Sequence, residues 1–243
     1  MKNNELALLG GDPVRTNPYE PFANVGQEEI DAVTRVLKRR QLSMFGTTES
    51  SFAGGQEIRA LESEFSEHYG FKNSISLNSG TSGLHAALQA VGVGPGTEVI
   101  VPAYTFTATA SSVLHARAVP RFADVELSDF CISARTVEPL INERTRAIIV
   151  VHLNGTPADL EGLLNLAQKY NCALIEDCAQ AQGAKYKGSY VGNMGDINVF
   201  SFQETKNMSC GEGGMVVTDD DDLAKKVMMI RNHGEDLNFG KPR

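Results

Sequence analysis

Ser74-Ile75-Ser76-Leu77-Asn78-Ser79-Gly80-Thr81-Ser82-Gly83-Leu84 reads as a short strand, a tight turn of small polar residues, and the start of a helix whose apolar positions continue at Ala87, Leu88 and Val91. From this stretch onward the chain repeats the same alternation. Short β-branched or apolar runs fall at 99–101, 119–122, 147–151, 173–176, 198–201 and 215–218, and helices are expected to begin near Thr81, Thr105, Asp159 and Asp222. Strands separated by helix-length segments mark crossover units, because parallel neighbours cannot be joined by a tight turn. The expectation is an α/β fold with a mainly parallel central sheet flanked by helices.

Upstream, Ile30, Val33 and Leu37 recur at helical spacing after Glu28-Glu29, and Ile58, Leu61 and Phe65 do so before Gly70 ends the pattern. The segment through Phe22, with Gly10-Gly11, Pro13, Pro18 and Pro21, suggests an extended arm, and Gln41 to Gln56 reads as a loop. The acidic run Asp219 to Asp222 is read as a solvated turn whose charges sit at the positive end of the next helix.

Composition narrows the function classes. The 243 residues are 42% hydrophobic and 21% charged, which allows one large core, with two domains as the alternative. A net charge of −8 argues against a nucleic-acid partner, since a polyanion needs a basic surface. Cys131, Cys172, Cys178 and Cys210 form no pair at metal-ligand spacing, so no metal is expected. No signal peptide is recognisable and no apolar run approaches membrane-spanning length. The expectation is a soluble cytoplasmic protein with reduced thiols and a small-molecule ligand.

Three segments, each following an expected strand, are candidates for chemistry, and in open α/β sheets such segments converge beyond the carboxyl ends of the strands. In the turn Asn78 to Gly83, glycines permit close backbone approach, and helix-start amides with the hydroxyls of Thr81 and Ser82 could cradle a phosphate. Tight packing alone would also explain this turn. Asp177 ends the apolar run Ala173-Leu174-Ile175, where a carboxylate either caps a loop or faces a cation. Lys206 lies between a strand ending at Ser201 and the turn Gly211-Glu212-Gly213-Gly214. A lysine there is either a surface residue or an amine swung over a pocket, where desolvation favours Schiff-base chemistry.

The motifs form an ordered series: Leu9-Gly10-Gly11-Asp12-Pro13-Val14-Arg15, Ser79-Gly80-Thr81-Ser82, Val101-Pro102-Ala103-Tyr104-Thr105-Phe106, and His152 with Pro157-Ala158-Asp159-Leu160. Glu176-Asp177, Ala179-Gln180-Ala181, Gly195-Asp196, Ser201-Phe202, Lys206, the Gly211 turn and Arg231-Asn232-His233-Gly234 complete it. The set resembles the DegT/DnrJ/StrS family of pyridoxal-phosphate-dependent sugar aminotransferases, which have the aspartate-aminotransferase fold. The resemblance implies an N-terminal arm, 1–24, and the cofactor-binding large domain, 25–243, with the small C-terminal domain largely missing.

The resemblance also implies site roles. Lys206 matches the lysine that holds the cofactor covalently and shuttles a proton, and Asp177 matches the partner of the ring nitrogen. Gln180 matches a residue near the ring's phenolic oxygen, and Phe106 the aromatic stacked on the ring, although a core aromatic would also suit position 106. Gly80, Thr81, Ser82 and Ser201 match the phosphate site. The implied partners are an amino donor, glutamate or glutamine, and a keto-sugar or cyclitol ketone, in a homodimer. Gln182 stands where the family frequently has histidine, and Asn154 where an aromatic usually follows His-Leu. The competing reading is a truncated, catalytically silent module that binds the cofactor or serves regulation. A generic nucleotide-binding domain is disfavoured, because no dinucleotide glycine fingerprint or phosphate loop is present.

Overall fold

Seven strands make the central sheet of a computed structural model that describes residues 5–19, 25–46 and 52–236. The end of the expected arm at 20–24, part of the expected loop at 47–51 and the residues 237–243 lie outside the described residues. The chain divides into two units, Met1–Arg40 and Gln41–Arg243. In the first, a short 3-10 turn at Ala7–Leu9 precedes helix α1 (Gln27–Arg39). The carboxylate of Glu29 accepts the Gly26 N–H at 2.6 Å, and Arg40 closes the helix in the left-handed conformation.

The second unit begins with α2 (Gln56–Tyr69), ended by Gly70 at φ 81°, a conformation glycine adopts without a Cβ penalty. The strands are β1 (Asn73–Leu77), β2 (Glu98–Pro102), β3 (Val119–Ala123), β4 (Thr145–Val151), β5 (Ala173–Asp177), a small hairpin of β6 (Lys185–Tyr186) and β7 (Ser189–Tyr190), then β8 (Ile197–Ser201) and β9 (Gly214–Thr218). Between them lie α3 (Gly80–Ala90), α4 (Ala108–His115), a single turn α5 (Ala134–Val137) and α6 (Leu160–Tyr170), with α7 (Asp221–Arg231) after β9. The large sheet has the order β1-β9-β8-β5-β4-β2-β3. Only β9 runs antiparallel to its neighbours, so the sheet is mostly parallel, as the sequence implies.

Strand alternation supplies both layers of the core. On β8 and β9, Val199 and Val216 join the larger cluster with Leu84, Ala87 and Leu88 of α3. Their sequence neighbours Phe200, Met215 and Val217 turn to the other face, where they pack with Phe65 of α2, Phe71 and Phe202. Each expected strand is present. Two local details differ from expectation. Helix α4 begins at Ala108, three residues after Thr105, whose hydroxyl pairs with that of Thr109 at 3.1 Å. The β6–β7 hairpin escaped the sequence reading because its strands are two residues each; its turn, Lys187 and Gly188, has positive φ at both positions.

The sheet presents its site through close backbone approach. A Cβ at Gly214 would overlap the Ser79 carbonyl and lie 2.7 Å from the Gly80 nitrogen, so the start of β9 lies directly against the β1–α3 turn. Backbone atoms cannot rotate away as a side chain would. Gly214→Ala is therefore expected to destabilise the fold by about 2 kcal/mol, read as a lower denaturant midpoint at unchanged slope.

Candidate active site

A cavity of about 530 Å³ opens beyond the carboxyl ends of β1, β4, β5 and β8. Gly80, Thr81, Phe106, Asp177, Gln180, Ser201 and Lys206 all line it. Seven of the sequence-derived candidates thus meet in one space. Ser82 is set back from that lining: its N–H donates to the Ser79 hydroxyl oxygen at 3.0 Å, and the two hydroxyls pair at the same distance. Ser79 is the N-cap of α3, and the N–H groups of Gly80 and Thr81 lead its first turn, where intrahelical partners are lacking. A Cβ at Gly80 would stand 3.0 Å from that of Ser201, so the turn and the end of β8 form one wall.

Asp177 is the buried end of β5. One carboxylate oxygen accepts the Ala179 N–H at 3.1 Å, and the other accepts the Thr109 hydroxyl at 3.2 Å. Burial pushes its carboxyl above the usual range; the Ala179 and Thr109 hydrogen bonds and the charges of His152 and Lys206 oppose that rise without cancelling it. A desolvated carboxylate with so few donors favours a cation placed in the cavity it lines. Lys206 lines the same cavity from the loop after β8. Its N–H donates to the Gln203 carbonyl at 2.8 Å, and the Gln203 side chain accepts from the N–H and hydroxyl of Thr205.

One residue before Asp177, Glu176 faces a different environment. Its fully buried carboxylate accepts from the Gly192, Met194 and Gly195 N–H groups at 2.8, 2.8 and 2.6 Å and from His152 Nε2 at 2.9 Å. The Ala158 N–H donates to His152 Nδ1 at 3.1 Å, which leaves Nε2 as the ring nitrogen that meets Glu176. Burial alone would raise the Glu176 carboxyl, but His152 and the backbone donors hold it below its ordinary value. Cys178 lies within 4.8 Å of both side chains, a grouping of metal-ligand type. Every ring nitrogen and carboxylate oxygen there is already engaged, and burial pushes the Cys178 thiol well up, so these residues form a hydrogen-bonded network and not a metal centre.

Gln180 follows on the same turn. Its Oε1 accepts the Asn154 N–H at 2.8 Å, which leaves its NH₂ group as the donor. The sequence reading did not single out Thr109, and it treated Glu176 and His152 only as parts of motifs. Thr109 sits one helical turn from Thr105 with no pattern of its own, so only the fold brings it to Asp177 across 68 residues.

The donor set fits pyridoxal phosphate. Helix-start N–H groups with Thr81 and Ser201 hydroxyls suit a phosphate, the buried Asp177 suits a protonated ring nitrogen, and the Lys206 amine suits an aldehyde. The sequence matches the DegT/DnrJ/EryC1/StrS aminotransferase family over residues 24–241. The chain belongs to this family. It is 40% identical over 98% of its length to L-glutamine:2-deoxy-scyllo-inosose aminotransferase of Streptomyces fradiae, and covers 55% of that protein. It is 48% identical over 88% of its length to the UDP-N-acetyl-3-dehydro-alpha-D-glucosamine 3-aminotransferase of Acidithiobacillus ferrooxidans, again covering 55%. A crystal structure of an aminotransferase from Psychrobacter cryohalolentis superposes with a TM-score of 0.84 at 40% identity, over 93% of this chain and 56% of that one. The chain thus spans about half the length of the relatives it matches. The aminotransferases of this family depend on pyridoxal phosphate.

Because Glu176 joins β5 to His152 and the 192–195 loop, Glu176→Gln would turn an amide NH₂ toward donors that need an acceptor. The expected loss is about 2–4 kcal/mol, measured by denaturant unfolding at neutral pH. Its carboxyl is depressed in the folded state, so this stabilisation is present above the unfolded carboxyl range and is lost as pH falls through the folded value. The variant's stability is therefore expected to fall less steeply on acidification than that of the parent.

Proposed function

We propose that the protein moves an amino group from glutamate or glutamine to a keto-sugar or cyclitol ketone, with pyridoxal phosphate held in the cavity lined by Asp177 and Lys206. The observation that carries this reading is that one buried acid and one lysine, 29 positions apart in sequence, line the same space beyond the strand ends. When bound, the cofactor supplies an electron sink for the charge left as a proton departs from the amine-bearing carbon.

The chain's own residues do the rest. Asp177 would hold a proton on the ring nitrogen, and that cation would offset the cost of burying a lone anion. Gln180, its Oε1 tethered to Asn154, offers its NH₂ group to the ring's phenolic oxygen. The hydroxyls of Thr81 and Ser201 and the N–H groups at Gly80 and Thr81 hold the phosphate. Ser82 contributes by bracing Ser79 at the head of α3. The Lys206 amine would hold the cofactor covalently and, when free, would be the base that moves a proton between neighbouring carbons. Phe106 covers the ring face. Its side chain is 69% exposed, and Tyr104 nearby in sequence contacts Phe130 at 5.8 Å between ring centroids, both also exposed. This aromatic surface supports a homodimer in which a second copy covers the cavity mouth.

No helix among the described residues is long and apolar enough to cross a membrane, and the four cysteines are free, in keeping with a cytoplasmic enzyme. The acceptor proposed here follows the names of the relatives, which act on an inosose and on a nucleotide-linked ketosugar. The competing reading, a silent cofactor-binding module, predicts binding without turnover.

Added pyridoxal phosphate is expected to give a visible absorption band that Lys206→Ala abolishes. Asp177→Asn is expected to retain the band but to slow the half-reaction with glutamate or glutamine at least about 100-fold, the scale at which an acid–base group contributes. A band that survives Lys206→Ala would overturn the site. A Lys206-dependent band with no half-reaction for any amine donor would leave the silent module.

A further inference from the structure

Gln182 stands two residues beyond Gln180 on the turn after β5, and its amide reaches across to the loop that carries Lys206. Its Nε2 donates to the Ser201 carbonyl at 2.7 Å and to the Met208 carbonyl at 3.4 Å, while its Oε1 accepts the Met208 N–H at 2.6 Å. These anchor points lie on either side of Lys206 in the chain. The remaining bonds described for this loop are mostly its own: Gln203 turns back on Thr205, Lys206 N–H on Gln203, and Glu204 N–H on Gly211. The loop's internal turns give it a shape, and the Gln182 amide gives it a position.

Beside the loop is a second cavity, about 420 Å³, lined by Asn154, Gln180, Gln182, Thr205, Lys206 and Asn207. Lys206 and Gln180 line both cavities. The loop therefore has open space to move into if it is released, and packing would not hold the lysine where the amide now does.

We infer that Gln182 is a positioning residue, one that fixes the Lys206 amine relative to the Gln180 donor by bridging the turn after β5 to both flanks of the lysine loop. The inference rests on the proposed cofactor site. One turn then carries two settings. Gln180 is hooked to the Asn154 N–H and presents its donor to the cofactor, and Gln182 holds the loop whose amine bonds the same cofactor. A histidine at 182, frequent in the resembling family, has only two ring nitrogens and cannot reproduce all three bonds of this amide.

The test is pyridoxal phosphate titration of the parent and of Gln182→Met, which keeps the side chain's length and removes all three bonds. The readouts are the dissociation constant, the extent of borohydride trapping on Lys206 read by peptide mass, and the pH midpoint of the visible band. Loss of the amide is expected to weaken binding about tenfold. It should also move the band's pH midpoint, because the amine and its neighbouring donor would no longer be held in register. A role in stability alone would lower the unfolding midpoint and leave the band's pH midpoint in place. Should Gln182→Met fail to fold, Gln182→Asn, one methylene shorter and able to reach only one flank, is expected to give a smaller shift in the same direction. A folded variant with parental affinity and parental band midpoint overturns the inference while leaving the cofactor site standing. If the parent itself shows no band that depends on Lys206, the inference falls with the site.

Discussion

A carboxylate with no solvent exposure, ringed by four donors, fixes the end of β5. Glu176 gathers the Gly192, Met194 and Gly195 N–H groups and the His152 imidazole on one side of the strand. Asn198, on the neighbouring β8, accepts the Glu176 N–H at 3.1 Å and donates to the Gly192 carbonyl at 2.6 Å. Three chain segments, β5, His152 and the 192–195 loop, thus meet at one acid, and Asn198 ties β8 to two of them. An ionised group so deep in the fold is tolerable only with this complete set of partners, which makes the network all-or-none.

The consequence lies one residue away. Successive residues of a strand point to opposite faces, so fixing Glu176 also fixes Asp177 on the other side. The two acids are neighbours in sequence, yet their ionisation is pushed in opposite directions. Glu176 has four donors, and its carboxyl falls below its ordinary value; Asp177 has two, and burial raises its carboxyl. The difference marks a division of labour that residue type alone does not reveal. Glu176 is complete within the chain, whereas Asp177 retains a demand for positive charge that faces the cavity.

That division also explains how much could be read from the sequence. The strands were legible because their interiors are continuous apolar runs, such as 147–151, and their ends carry turn residues. The cavity was legible because Gly80, Thr81, Asp177, Ser201 and Lys206 each follow a strand, and a mainly parallel sheet gathers strand ends on one edge. Bonds that cross between unrelated segments were not legible. Thr109 to Asp177, Asn154 to Gln180 and Gln182 to Met208 each join residues with no common periodicity, and their partners are often backbone groups, which carry no sequence signal. Asn154 and Gln182 could be noticed only as departures from a family pattern. Their partners had to come from the folded chain.

His152 completes the hydrogen-bonded frame behind Asp177. The Ala158 N–H donates to Nδ1, which leaves Nε2 to meet the Glu176 carboxylate. His152 therefore serves Glu176 through a hydrogen bond. Thr109 and Ala179 contribute dipoles but no charge. Among the described cavity-lining residues that leaves Lys206 as the cationic side chain. In the proposed site, a protonated ring nitrogen would supply positive charge beside Asp177.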